Sequence, residues 1–88
     1  MARLKVRDIA NGRDLNLSQL HGIVNKRLEL PVAMGTMRRY WYATRDGREQ
    51  GLPIEQVDIH LLGTIAKALN VRVADLLNED ELGQMRAA

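Results

Sequence analysis

Apolar residues in this chain recur at intervals of three and four, and no stretch alternates long enough for a half-buried strand. Leu4, Val6, Ile9 and Ala10 keep near-helical spacing and Gly12 follows as a stop, so a first short helix is expected near residues 3–11. Leu17, Leu20 and Val24, extendable to Leu28, repeat around Ser18, whose hydroxyl is expected to cap a second helix beginning near Gln19. Gly22 weakens the middle of that helix by up to about 1 kcal/mol relative to alanine. Pro31 forces the residue before it out of the helical region and can stand just ahead of a new helix. That third helix is expected over residues 33–43. Helical spacing turns Met37 inward with Tyr40 and Trp41 beside it, while Gly35, Arg39 and Tyr42 point away and Thr36 and Arg38 lie on the shoulders. One face is apolar and the other basic.

Residues 44–54 carry two glycines and a proline and read as a loop. Asp58 is placed to cap a fourth helix, whose inward positions are Leu61, Leu62, Ile65, Ala66 and Leu69, with Asn70 as a left-handed end. A last short helix turns Leu76 and Leu77 inward, and an acidic tail follows from Asn78. The expectation is an all-α domain of five short helices over residues 1–78, with residues 79–88 as a tail.

The chain has 88 residues, room for one core, and 45% of them are hydrophobic, too many for a disordered tail. No apolar run approaches a membrane span, and Met1 to Arg7 hold no apolar stretch of a secretory leader. Cysteine is absent, which excludes disulfides, thiolate chemistry and cysteine-bound zinc and suits a cytoplasmic setting. The net charge of +2 hides a division. Residues 1–48 carry ten Lys and Arg against four acids, a net +6, whereas residues 49–88 carry three against seven, a net −4. Such asymmetry points to one half that faces a polyanion and another that solvates the domain.

Three stretches carry a resemblance to a known family. They are Leu15-Asn16-Leu17-Ser18-Gln19-Leu20, the run from Val32 to Trp41, and Leu62-Gly63-Thr64-Ile65-Ala66-Lys67-Ala68-Leu69-Asn70-Val71 followed by Asp75-Leu76-Leu77. Together they resemble the lambda Cro/repressor-type, or XRE-like, helix-turn-helix family over about residues 3–78. The resemblance implies a compact five-helix domain of bacterial or phage type that regulates transcription as a repressor or activator. Its third helix would enter the major groove. The sequence departs from that pattern in three places. The stretch from Leu20 to Val32 exceeds the usual turn of roughly 3–4 residues, and its surplus, Asn25 to Leu30, either extends the second helix through Leu28 or inserts a basic loop. Ala33 stands where the family prefers Ser or Thr, forgoing a cap worth typically ~1 kcal/mol. Gly35 sits on the outward face, and the loop before Asp58 is longer than usual.

The resemblance assigns roles residue by residue. Ser18 and Gln19, at a helix start, would hold a phosphate. Arg38 or Arg39 would pair with guanine O6 and N7, and Thr36 would touch a phosphate or a thymine methyl. Gly35 would allow close backbone approach, with Met34 as a partial contact beside it. Arg45 and Arg48 would hold phosphates, joined by Lys26 and Arg27 if the surplus segment faces the duplex. Tyr42 would offer a phosphate hydrogen bond or a base stack. Family members act as symmetric dimers on half-sites about 34–36 Å apart. Dimerisation here would fall to the last helix and tail through Leu77, Leu82 and Met85.

Other classes find less in the sequence. His21 and His60 lack companions at ligand spacing, so no metal site is expected. Ser, His and Asp form no nucleophile constellation, and neither Gly47 nor Gly51 opens a phosphate-binding loop. Neither an enzyme nor a cofactor is expected. The aromatic residues are confined to positions 40–42, which gives no stacking platform for single strands or RNA. The competing expectation is a protein-interaction module on the same scaffold, an antitoxin or inhibitor subunit. It would use Leu28 and Leu30 of the segment from Asn25 to Leu30 beside Pro31. On the first expectation the protein is cytoplasmic and associated with the nucleoid.

Overall fold

A computed structural model describes residues 4–77. They form five helices: α1 (Val6–Gly12), α2 (Leu17–Arg27), α3 (Met34–Tyr42), α4 (Ile59–Ala68) and α5 (Val73–Leu76). Among the described residues there is no strand, only two isolated bridges. None of these helices is long and apolar enough to cross a membrane.

The first helix starts later than its apolar spacing suggests. Leu4 stands opposite Leu77 in one bridge, and the Lys5 N–H donates to the Leu76 carbonyl at 2.7 Å. That pairing takes the first residues out of the helix and ties both ends of the described chain together. Gly12 does end α1, but the left-handed turn after it falls on Asp14, at φ 58°. Aspartate tolerates that region better than most residues.

Ser18 is not the cap of α2. Asn16 is, because its side chain accepts from the Gln19 N–H at 2.8 Å while the Gln19 side chain accepts from the Asn16 N–H at 2.9 Å. This reciprocal box satisfies two otherwise orphaned donors, and Ser18 becomes an exposed second residue of the helix. At the other end the surplus segment is divided. Asn25 to Arg27 extend α2, whereas Leu28 turns extended and residues 28–33 form the connection.

Asp58 caps α4 as expected, accepting from the N–H groups of His60 and Leu61 at 2.8 and 3.2 Å. Asn70 takes the left-handed conformation just past its end, at φ 58°. At α5 the Asp75 carboxylate accepts the Arg72 N–H at 2.9 Å. That bond, with the Arg72 guanidinium nearby, holds Asp75 below the usual aspartate pKa. A depressed pKa means the contact stabilises the fold above the ordinary aspartate range and is lost as pH falls through the lower folded value. An NMR titration of the Asp75 carboxyl should therefore have its midpoint below that of the unfolded chain.

The core gathers Val6, Ala10, Leu20, Val24, Met37, Tyr40 and Trp41 around the inner face of α4, with Leu76 and Leu77 closing it. Met37 and the two aromatics thus stand where their helical spacing put them. Leu77 is only 7% exposed, so it belongs to this core and offers no face to a second copy. Leu82, Met85 and the rest of the acidic tail lie outside the described residues. Tyr40 does more than fill volume. Its hydroxyl accepts the Asp58 N–H at 2.7 Å, fixing α3 to the start of α4. Tyr40→Phe leaves that half-buried N–H without its partner and should lower stability by about 1–2 kcal/mol in chemical denaturation.

Candidate functional site

Of the seven Lys and Arg that make no ion pair among the described residues, four lie on α2 and α3, and the others are Lys5, Arg13 and Lys67. From Leu15 to Ala43 the only acid is Glu29. Among the described residues Lys26, Arg27, Arg38 and Arg39 make no ion pair. Arg7 pairs with Glu49 at 3.2 Å, Arg45 with Glu55, Arg48 with Asp46 at 3.8 Å and Arg72 with Asp75 at 3.6 Å. Exposed pairs of this kind are weak. Even so, a neighbouring carboxylate cancels part of the field that Arg45 and Arg48 would offer to an outside anion.

The connection between α2 and α3 is pinned by side chains whose role the sequence did not reveal. Asn25 accepts the Val32 N–H at 2.9 Å through its Oδ1 and donates to the Val32 carbonyl at 3.3 Å. The Nε2–H of His21 donates to the same carbonyl at 2.7 Å. With its proton so used, that nitrogen cannot also accept from the Asn25 amide 3.0 Å away. One turn of α2 thus sets where α3 begins, two residues after Val32. The residue types gave one signal: an Asn and a His at i, i+4 beside an otherwise unsupported extended segment.

At its start α3 has no side-chain cap, because Ala33 offers none. Lys26, Arg27 and Arg38 are exposed, as is Gly35, with open space where a Cβ would stand. Thr36 and Met34 are half-buried. The loop after α3 folds back on it. Bridge-like bonds join Arg45 to Leu52 and Ile54 to Ala43, each at 2.9 Å. Gly47, at φ +78°, is buried against α3, where an added Cβ would meet the Arg38 Cβ at 3.0 Å and the Gly35 carbonyl oxygen at 3.3 Å. The outward face of α3 is therefore partly floored by its own loop, and the Arg38 side chain rises beside it.

Three assigned roles change in consequence. Tyr42 does not face solvent freely; it is half-buried, with the Arg7 guanidinium 5.7 Å from its ring centre. Gln19 has committed its backbone N–H and its side-chain oxygen to Asn16, leaving its amide NH₂ for any outside partner. Arg39 is half-buried rather than outward, and its Nε is buried without a hydrogen-bond partner among the described residues. It lines a cleft of about 1060 Å³ between the connection, α3 and the start of α4, together with Arg27, Leu28, Leu30, Thr36 and Val57. Of the two arginines weighed for base reading, only Arg38 is exposed.

Among the described residues no group of His, Asp and Glu is arranged to hold a metal ion. Comparison with known proteins finds no matching family model, no matching curated protein and no matching solved structure.

Proposed function

We propose that this protein is a sequence-specific double-stranded DNA-binding regulator of the lambda-repressor-like helix-turn-helix kind, with α2 and α3 as the reading unit. The observation that carries the reading is the distribution of unpaired charge. Among the described residues Lys26, Arg27 and Arg38 are exposed without an ion pair, and Glu29 is the only acid in the sequence of the segment spanning the two helices. Phosphate contacts position such a module and base contacts give it sequence. Lys26 and Arg27 are assigned to phosphates, and Arg38 to the guanine edge, where a guanidinium donates two parallel hydrogen bonds. Thr36 and the open backbone at Gly35 complete the reading surface. The uncapped N–H groups at the start of α3 favour an adjacent phosphate.

Selection from a pool of random duplexes tests this reading. A DNA-reading domain enriches one short sequence family over successive rounds; recovery of unbiased sequence after enrichment would count against it.

A second reading, a protein-interaction module, is favoured by Leu30, which is 83% exposed at the rim of the cleft. It predicts that Leu30→Ser abolishes function in the cell while leaving duplex binding unchanged.

A further inference from the structure

We infer that the cleft between the α2–α3 connection and the start of α4 is where a second copy of this chain docks, as a two-fold symmetric pair built around Leu30. The argument starts from apolar surface left in water. Among the described residues three large apolar side chains are exposed: Leu30 at 83%, Leu52 at 65% and Ile59 at 63%. Leu30 lines the cleft, and Ile59 stands in sequence between two of its lining residues, Asp58 and His60. Half-buried Leu28, Val32 and Val57 continue the apolar lining. Exposed apolar side chains gathered at one concavity mark a protein contact, whereas singly scattered ones carry no such meaning.

Charge identifies the occupant. Arg27 and Glu29 both line the cleft, both are exposed, and neither makes an ion pair among the described residues. Arg39 and Asp58 add one charge of each sign to the lining. A polyanion or a uniformly basic partner would meet its own sign in two of these four groups. A surface that carries free charges of both signs beside an exposed leucine complements itself. A two-fold axis makes every contact twice, so Arg27 of each copy meets Glu29 of the other while the two Leu30 side chains share the apolar lining. A guanidinium has five N–H donors, so an edge given to a carboxylate leaves donors for the phosphate contact proposed for Arg27. A contact confined to one cleft falls at the small end of specific interfaces, which makes the association weak and concentration-dependent.

The inference does not rest on DNA binding, and its test contains no DNA. Sedimentation equilibrium of the full chain over about 1 μM to about 1 mM, the range of weak association, should show a reversible monomer–dimer equilibrium. Leu30→Ser should weaken it at least about tenfold, because a buried leucine is lost from both copies. Arg27→Glu alone and Glu29→Arg alone should each weaken it at least about tenfold, because like charges then face one another. Mixed in equal amounts, the two charge variants should associate with each other about as tightly as the wild type does with itself, since every pair is again opposite in sign. Circular dichroism checks that the variants, all at exposed positions, keep the helical fold. A wild-type chain that stays monomeric throughout the range would overturn the inference. So would a dimer indifferent to Leu30→Ser, or charge variants that fail to recover on mixing. The wild-type series and Leu30→Ser decide the matter even if a charge variant does not fold.

Discussion

Arg38→Ala is expected to reduce affinity for the selected duplex by about 5- to 150-fold, the range set by the ~1–3 kcal/mol of a bidentate arginine–guanine pair. Affinity for unrelated duplexes should change far less. The expectation rests on what Arg38 lacks and on what flanks it. It makes no ion pair among the described residues, it is exposed, and Gly47 packs beside its Cβ so that the base of the side chain has a fixed floor. Lys26→Ala with Arg27→Ala should behave differently. Those residues are assigned to phosphates, so the double variant should weaken binding to all duplexes alike and flatten the salt dependence by roughly 2 in logarithmic slope. Fluorescence anisotropy on selected and scrambled duplexes at several salt concentrations separates the two patterns. Equal losses on both duplexes for Arg38→Ala would assign that residue to the backbone instead. Because all three side chains are exposed, the folded state should be little affected by the substitutions.

The second large effect is on stability. Gly47→Ala should destabilise the domain by about 2–3 kcal/mol, from the penalty for a side chain in left-handed backbone and from crowding against α3. Gly47 lies at φ +78°, and its would-be Cβ stands 3.0 Å from the Arg38 Cβ and 3.3 Å from the Gly35 carbonyl oxygen. Neither neighbour can swing away, since one is at the root of its side chain and the other is backbone. For a domain of this size the loss corresponds to a fall in Tm of roughly 10–20 °C. Gly35→Ala is the matched control. Open space surrounds that position and its φ is ordinary, so alanine there should leave Tm unchanged or raise it slightly through helix propensity. Thermal unfolding followed by circular dichroism measures both. A Gly47→Ala domain as stable as the parent would mean that the loop does not rest on α3.

The helical architecture was legible wherever periodicity and capping agreed. Leu61 to Leu69 gave α4 with Asp58 before it and Asn70 after it, and the spacing of Met37, Tyr40 and Trp41 gave the buried side of α3. Local pattern failed where the deciding partner is elsewhere in the chain. Leu4 keeps helical spacing with Val6 and Ile9, yet its backbone pairs with residue 77, a contact that no window of neighbouring residues contains. Ser18 is a good cap by type, but Asn16 lies three residues before a glutamine that reciprocates, and two hydrogen bonds outweigh one. Tyr42 was placed outward by its angle on α3, which carries no information about Arg7 arriving from α1. The charge division between the halves was plain in the sequence. Which cations are free was not, because pairs such as Arg7–Glu49 and Arg45–Glu55 form only when the loop folds back.

The central claim is that α2 and α3 face a duplex, and a salt titration of the wild-type domain with its selected DNA tests it most directly. Contacts to two to four phosphates predict that log K falls linearly with log salt with a slope of about −2 to −4, at an affinity well above that for scrambled sequence. A folded domain that binds no duplex at low salt, or binds with no salt dependence, would contradict the claim and leave the exposed Leu30 and the interaction-module reading as the better account.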